Sequence, residues 1–323
     1  MDEVGLVGLG AIGAGAHLQA LLRSKRLRLV AVAEPDPVRR AAVALPDRVA
    51  RRQTLEELLG EDSIRGVVLA TPPWVTPGLV VAAARAGRFV LAEKPIATDP
   101  TAAGSYDRLS ADEMGRIQVG LTYRHDPAIR RLREMITDGE LGGPLLVRAH
   151  IYDEVRTDDA GHADLIERTL AAGPPVIHEG AHVLDWLAYL LDAEPTVRDA
   201  WSLRTRQDLP ADNLIGARLG FGEHLALVEF GWLTDGLPRV ELTLTGDRGT
   251  AVLDGQTFAI SLTTRAGSEP ITFAGDRSSR CFDLQLERFA DLICGGRAEP
   301  DLAAGRAALR WSAAIATAAK ERS

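Results

Sequence analysis

The sequence predicts an α/β chain in two parts: an N-terminal doubly wound parallel sheet, then an α+β part built on a large open, mostly antiparallel sheet. Three observations predict it. Over the first third, short and wholly apolar runs alternate with helical patterns, as strands covered on both faces require. Beyond that point the strands lengthen and alternate apolar with polar residues, joined by turns such as Phe221-Gly222-Glu223 and Thr245-Gly246-Asp247. Finally, 323 residues exceed what most single cores enclose. The domain boundary is expected between 1–121 and 122–323, with the last helix able to pack back on the first domain.

In order, residues 4–9 read as a buried strand and 12–24 as a helix. A second strand at 29–33 precedes a helix at 37–45, and a third at 66–70 precedes a helix at 77–86. A fourth strand covers 89–92, 101–113 reads as helical, and 117–120 is a further strand. An amphipathic helix at 127–137 then ends at the turn GELGGP. The longer strands follow at 145–152, 196–205, 214–221, 225–232, 240–245, 250–253 and 258–263. One helix interrupts them at 176–191, and two more, 282–294 and 303–320, close the chain. There is no internal repeat and no low-complexity tract.

Bulk chemistry excludes several classes. A formal net charge of −8 argues against a nucleic-acid surface, because a phosphate backbone calls for a basic face. The arginine pairs at 39–40, 51–52 and 130–131 are interspersed with acids and read as solvated helix faces. Only Cys281 and Cys294 are present, too few for a disulfide framework, so a reducing cytoplasm is expected. No window approaches a membrane-spanning apolar run, and the acidic start lacks the features of a signal peptide.

Gly8-Leu9-Gly10-Ala11-Ile12-Gly13 matches G-x-G-x-x-G directly between the first strand and the first helix. In such a turn Gly8 permits the tight bend, Gly10 lets backbone amides approach a pyrophosphate, and Gly13 lets helix and strand pack closely. The helix N-terminus then turns free N–H groups toward the phosphates. Glu34 ends the second strand 21 residues beyond Gly13, the distance at which an acidic side chain meets an adenosine ribose. A carboxylate there accepts from both ribose hydroxyls and repels a 2′-phosphate, which favours NAD; Arg39 and Arg40 pull the other way and keep NADP open. The first domain is therefore expected to bind the dinucleotide and the second to bind substrate and to oligomerise. The plain alternative is a structural glycine turn beside an exposed Glu.

Glu93-Lys94-Pro95 closes the fourth strand, and with it the chain resembles the glucose–fructose oxidoreductase/inositol dehydrogenase (Gfo/Idh/MocA) family over nearly its whole length. GLGAIG with His17, AVAEPDPVRR, Thr71-Pro72-Pro73, AGRFVLAEKPIA (86–97), YRHDPAIRRLREMITDGELGGP (123–144) and GAHVLDWLAYLL (180–191) follow in the family's order. The resemblance implies a nicotinamide in a cleft between domains, facing a sugar, polyol or related substrate. It puts the family's E-K-P lysine on Lys94, there to orient the substrate hydroxyl and exchange its proton, with a cis-proline kink at Pro95. Ala11, Ile12, Thr71, Pro72 and Glu93 join the cofactor-binding candidates. A surface lysine paired with Glu93 is the plain alternative for Lys94.

The family pairs an Asp with a His four residues on; here His182 matches the His and His178 stands at the Asp position. His178 therefore either shares the acid–base work or marks a change of chemistry. A second departure puts Thr76 where relatives often carry a His, beside Trp74, whose indole is a candidate for stacking on the nicotinamide side or a sugar face and equally for loop packing. Tyr123, Arg124, His125 and Asp185 are further substrate candidates, Arg124 also as a tie between domains. The pattern His178-Glu179-Gly180-Ala181-His182 also satisfies H-E-x-x-H, but Gly180 weakens the helix centre and the setting is that of a dinucleotide enzyme, so no metal is expected. The residual metal reading takes His178 and His182 with Asp185, His162 or Asp164. The polar stretch 153–175 is a candidate lid over the substrate, against a solvated loop and short helix.

Three functions follow. The first is hydride transfer between NAD(H) and a carbinol carbon of a sugar, cyclitol or related small molecule. The second retains NAD for a net non-redox elimination or glycoside hydrolysis, favoured by a second acid/base at His178. The third is an NAD-sensing binding protein, which would have no need of Lys94. No membrane or nucleic-acid partner is expected. A homodimer or homotetramer through the open sheet is expected: strands 225–232 and 240–245 alternate apolar residues on one face, with Phe230 and Trp232 adding bulk.

Overall fold

The computed structural model describes residues 1–154, 160–234 and 240–321. The chain divides into two compact units, Met1–Thr122 with Ser278–Ala307 and Tyr123–Arg277 with Ala308–Ser323.

In the first unit β1 (Asp2–Val7) runs into the glycine turn and a π-helical turn (Gly13–His17) that continues as α1 (Leu18–Arg23). There follow β2 (Leu27–Ala33), α2 (Pro37–Ala42), β3 (Ala50–Arg52), α3 (Leu55–Leu59), β4 (Ile64–Leu69), α4 (Thr76–Arg85) and β5 (Phe89–Glu93). A 3-10 segment (Ala102–Arg108), α5 (Ala111–Met114) and β6 (Ile117–Gly120) complete it. All neighbours pair parallel in the order β3-β2-β1-β4-β5-β6. The chain winds outward from β1 through β2 and then restarts at β4 on the other side. That reversal opens the crevice at the carboxyl ends of β1 and β4, where such sheets receive ligands.

The second unit starts with α6 (Pro127–Thr137), β7 (Leu146–Asp153), α7 (Ala160–Ala172) and α8 (Pro175–Leu191). The strands β8 (Thr196–Leu203), β9 (Leu214–Phe221), β10 (His224–Trp232) and β11 (Val240–Thr245) come next. Then come β12 (Gly249–Asp254), β13 (Ile260–Thr264) and β14 (Gly267–Ile271). They form one eight-stranded sheet in the order β14-β13-β12-β11-β7-β10-β9-β8, antiparallel except for β7 against β10. The doubly wound sheet and the open sheet are the architecture the sequence predicts.

Two helices close the chain, α9 (Arg277–Ile293) and α10 (Leu302–Lys320). The sequence grammar assigned 282–294 to the second domain, whereas α9 clusters with the first unit. Leu286, Phe289, Ala290 and Ile293 join Val4, Leu6, Leu29 and Val68 in one buried cluster. Gly66 on β4 makes the room: a Cβ there would come within 2.9 Å of the Phe289 ring.

Other differences have local causes. The helical stretch expected at 101–113 breaks at Ser110, which caps α5 through a reciprocal capping box with Glu113. β3 is three residues long and carries two arginines, and β14 is an edge strand containing Pro270, so neither has an apolar strand signature. Phe230 and Trp232 are buried, on the opposite face of β10 from Leu225 and Glu229. The face shared by Leu225 also carries Trp201 and Leu203 of β8, and it is these three that are exposed.

Candidate active site

The first unit gathers its candidate residues at the carboxyl edge of the parallel sheet. Gly8 has φ +90°, and a Cβ on it would lie 2.2 Å from the Ala70 carbonyl oxygen after β4. A Cβ on Gly13 would lie 2.0 Å from the Gly8 carbonyl oxygen, so both positions close the turn only as glycine. Gly10, by contrast, faces open space. Glu34 is 3 % exposed and turned toward this loop. Its Oε2 accepts the Leu9 N–H at 2.8 Å and its Oε1 the Asp36 N–H at 3.1 Å. Its own N–H donates to the Arg52 carbonyl of β3 at 3.1 Å, so the strand the sequence did not reveal anchors the acid it did. Arg39 lies 3.5 Å from Glu34 Oε1.

These residues fit a dinucleotide. The turn leaves an open backbone cradle at Gly10, and Glu34 keeps carboxylate lone pairs beyond the amides it already accepts. Ala11 and Ile12 lie exposed at the head of the helix. Thr71 and Thr76 share a hydroxyl–hydroxyl bond at 2.9 Å; fully buried Thr76 thus braces the Thr71–Pro72 turn after β4. Trp74 projects from that loop, 53 % exposed.

Lys94 follows β5 and is half-buried at a cis Lys94–Pro95 bond. The Glu93 side chain organises it. Oε2 accepts the Lys94 N–H at 3.0 Å, while Oε1 meets His17 Nε2 at 2.7 Å. His17 is fully buried at the end of the π-helical turn, edge-on to Phe282 at 5.0 Å. The sequence had supplied His17 only as part of an opening motif. Its partner lies 76 residues away and was not legible.

The second unit holds the histidines. His178 and His182 lie one turn apart on α8, both nearly buried. His182 packs against the Tyr123 ring at 4.5 Å, and His178 against the Trp232 indole at 5.0 Å. Gly180 between them faces Ser312: a Cβ would fall 2.6 Å from its Oγ, so this glycine serves close helix packing. Arg124 and Asp185 are committed to each other. Arg124 Nε donates to Asp185 Oδ2 at 3.0 Å and Nη2 donates to Oδ1. Burial pushes the Asp185 carboxyl up, and the Arg124 guanidinium opposes that shift. Both belong to the second unit, where Arg124 braces α8. His125 is half-buried beside Asp126, whose carboxylate caps α6 through the Ala128 N–H.

Tyr123 is the hub of an aromatic cluster the sequence did not disclose. Besides His182 it meets Trp186 at 5.5 Å and Phe258 at 5.4 Å. Phe258 has φ +57°, a left-handed backbone rare for a bulky residue and held here by packing.

Among the described residues no group of three or more His, Cys, Asp or Glu side chains could hold a metal. Asp185 is taken by Arg124, and the side chains of His162 and Asp164 lie outside the described residues. Of the candidate lid, 155–159 also lie outside them. The rest includes α7, whose Ile166 and Leu170 pack with Leu209 and with Trp232, the residue that backs His178.

Two family models match in tandem: the oxidoreductase family with an NAD-binding Rossmann fold over residues 3–121, and the GFO/IDH/MocA C-terminal domain over 129–252. The chain belongs to the Gfo/Idh/MocA family. Its first unit has that family's NAD-binding fold. It is similar to an inositol 2-dehydrogenase of Corynebacterium glutamicum, 31% identical over 189 residues, which are 58% of this chain and 54% of that protein. The chain thus spans about half the length of the curated relative it matches there. An inositol 2-dehydrogenase of Acidothermus cellulolyticus is 26% identical over 320 residues, 91% of this chain and 85% of that protein. Among solved structures, a putative myo-inositol dehydrogenase from Sinorhizobium meliloti matches in fold. Its TM-score is 0.83 at 23% identity, covering 100% of this chain and 98% of that one.

Proposed function

We propose that this chain is an NAD-dependent oxidoreductase acting on a carbinol or carbonyl carbon of a sugar, cyclitol or sugar-like molecule. One observation carries the reading. Lys94, anchored through Glu93 to His17, follows β5 at the same carboxyl edge of the parallel sheet as the glycine turn and Glu34. A nucleotide fold alone accounts for the turn and Glu34; it gives no reason for a lysine fixed by a buried pair.

The division of labour follows the boundary near residue 121. In the first part Gly8, Gly10, Ala11, Ile12, Gly13, Thr71 and Pro72 hold the dinucleotide and Glu34 its ribose. NAD, when bound, supplies the hydride acceptor, and NADH the donor for the reverse direction. Lys94 exchanges the proton of the reacting hydroxyl. His182 and His178 hold the substrate oxygen, and Tyr123, His125 and Trp74 shape its surroundings. Arg124 and Asp185 act through position, bracing the helix that carries His182. NAD is preferred to NADP because Glu34 meets the ribose and Arg39, close to Glu34, is partly neutralised by it.

We also propose self-association through the solvent face of the eight-stranded sheet, as a homodimer or homotetramer. Trp201 and Leu203 of β8, 41% and 52% exposed, support it together with Leu225 on the same face. A cytoplasmic setting is supported by two free cysteines; no helix among the described residues is long and apolar enough to cross a membrane.

The test is a panel of sugars, cyclitols and sugar acids with NAD and NADP, followed at the nicotinamide absorbance. Steady NADH formation with one polyol class is expected. Tight NAD binding with no net reduction by any panel member would overturn hydride transfer as the overall reaction.

A further inference from the structure

Arg277 ends the main segment of the second unit as the first residue of α9, and its surroundings are unusual for an arginine. Its guanidinium carbon lies 5.0 Å from the centre of the Tyr123 ring and 5.1 Å from that of Phe258. Two of its nitrogens, Nε and Nη1, are screened from solvent and have no hydrogen-bond partner among the described residues. Buried donors left unsatisfied are costly, most of all on a group that cannot discharge by losing its proton. Aromatic faces compensate part of the charge but leave the N–H groups unmet.

The same side chain lines a cavity of about 310 Å³ with Gln256, Thr257, Thr272, Phe273 and the acidic Asp276. That is the small end of the range for small-molecule sites. The amide of Gln256 and the hydroxyl of Thr272 supply the polar chemistry that hydroxylated ligands use. Asp254, which feels the Arg277 charge, is occupied elsewhere: its Oδ1 accepts the Gln256 N–H, the Thr257 N–H and the Thr257 hydroxyl.

Its place relative to His182 gives the site a purpose. Tyr123 touches both groups, and its two distances bound the Arg277 carbon and the His182 ring centre to within 9.5 Å of each other. Phe258, the other wall, holds its ring there at the cost of a left-handed backbone. Strain kept at this position signals a ring needed in that place.

We propose that Arg277 is an anion-recognition residue of the substrate site, and that the preferred substrate is a polyhydroxylated carboxylic acid rather than a neutral polyol. The reading rests on the proposed hydride-transfer function. A planar carboxylate matches guanidinium geometry, and a carboxylate a few bonds from the carbinol carbon would meet Arg277 while the reacting oxygen meets His182. The remaining hydroxyls would fall to Gln256 and Thr272.

The experiment compares matched pairs on the NAD-loaded protein: gluconate and glucuronate against glucose, myo-inositol and glucose 6-phosphate. It uses the wild type, Arg277→Gln and Arg277→Lys, and adds calorimetric binding of gluconate, which needs no turnover. The acids are expected to show the higher kcat/KM. Arg277→Gln should raise KM and the gluconate Kd by about 10- to 100-fold, the loss typical of a charge-assisted contact. Neutral polyols should change by less than about threefold, and Arg277→Lys should recover part of the loss. Preference for the neutral polyols, or equal losses on acids and neutrals in a variant that melts like the wild type, would make Arg277 a structural cation and overturn the proposal. Preference for the phosphate would overturn the carboxylate class. If no polyol is oxidised yet gluconate binding still depends on Arg277, the anion site stands and the hydride-transfer reading falls. If neutrals are oxidised and gluconate does not bind, the reverse holds.

Discussion

His17 Nε2 and Glu93 Oε1 lie 2.7 Å apart, with the imidazole fully buried and the other Glu93 oxygen accepting the Lys94 N–H. The helix after the glycine turn is thereby connected to the residue assigned the proton. A buried histidine–carboxylate pair does not exist here for stability alone, since apolar side chains of similar volume would fill the space at lower desolvation cost. Its geometric effect is to fix the Glu93 rotamer and, through it, the backbone from which Lys94 projects. His17 is thus a positioning residue. His17→Ala is expected to lower kcat by about 10- to 100-fold, the scale of a small misplacement of a reacting group, with NAD affinity nearly unchanged. The pH–rate profile should move as well, and His17→Gln, which keeps a donor, should restore part of the rate. A rate loss with an unmoved profile would make the pair a packing feature only.

Lys94 itself carries the proton assignment. Lys94→Ala is expected to reduce kcat by about 10²- to 10⁴-fold, the usual worth of a general acid–base group. Cofactor affinity should stay within about threefold, because the proposed reading gives the pyrophosphate and ribose contacts to the glycine turn and Glu34. Fluorescence titration with NADH alongside steady-state rates separates the two. Wild-type rates in the variant would remove Lys94 from the reaction.

On the proposed reading, Glu34 decides between the two dinucleotides. Its carboxylate already accepts the amides of Leu9 and Asp36, so it is fixed before any ribose arrives. Glu34→Ser removes the repulsion toward a 2′-phosphate and frees Arg39 from its 3.5 Å contact. The expected outcome is NAD binding weakened by about 10- to 100-fold and NADP binding strengthened, read as a change in the ratio of dissociation constants. An unchanged ratio would mean that the ribose lies elsewhere.

Much of this was legible because it is local. The glycine turn, the acid ending β2 and the 127–137 helix lie in short stretches whose residue types dictate their geometry, and α6 occupies the expected range. What escaped depends on pairing across the chain. β3 and β14 are short or edge strands whose pattern is set by their neighbours rather than by burial. Phe230 and Trp232 look like an exposed apolar face in sequence, but alternation alone does not say which face the helices cover. Arg277 and Phe258 lie far along the chain from Tyr123, a candidate already in sequence, and acquire meaning only as its neighbours. Arg124 and Asp185 were both read as substrate groups; the fold shows each as the other's partner.

That last pair predicts a stability effect. Asp185 is almost fully buried and Arg124 meets it through two nitrogens, so removing one partner leaves an uncompensated charge in the interior. Arg124→Ala is expected to cost about 3–5 kcal/mol in urea unfolding, well above the effect of a surface arginine. The double change of Arg124 to Met and Asp185 to Leu should recover much of the loss. A single-variant cost below about 1 kcal/mol would assign the pair to the surface class and return Arg124 to the list of substrate contacts.

Acid stability tests the turn that carries Phe258. The N–H of Thr257 leads the contacts that hold the Asp254 carboxyl below its ordinary range; its hydroxyl, the Gln256 N–H and the Arg277 charge add to it. A carboxylate depressed in the folded state contributes stability that is present above its unfolded value, about 3.9, and is lost as pH falls through the folded value. The wild type should therefore melt above Asp254→Asn at neutral pH. The gap should narrow as pH drops below about 4, and the two should converge once the folded carboxylate is protonated. Because the Phe258 N–H donates to the Asp254 carbonyl at 2.8 Å, loosening this turn should also disturb the ring that backs Arg277. Melting temperature against pH for both proteins reads the effect. A gap that stays constant down to pH 3 would show that the Asp254 charge plays no part in holding the turn.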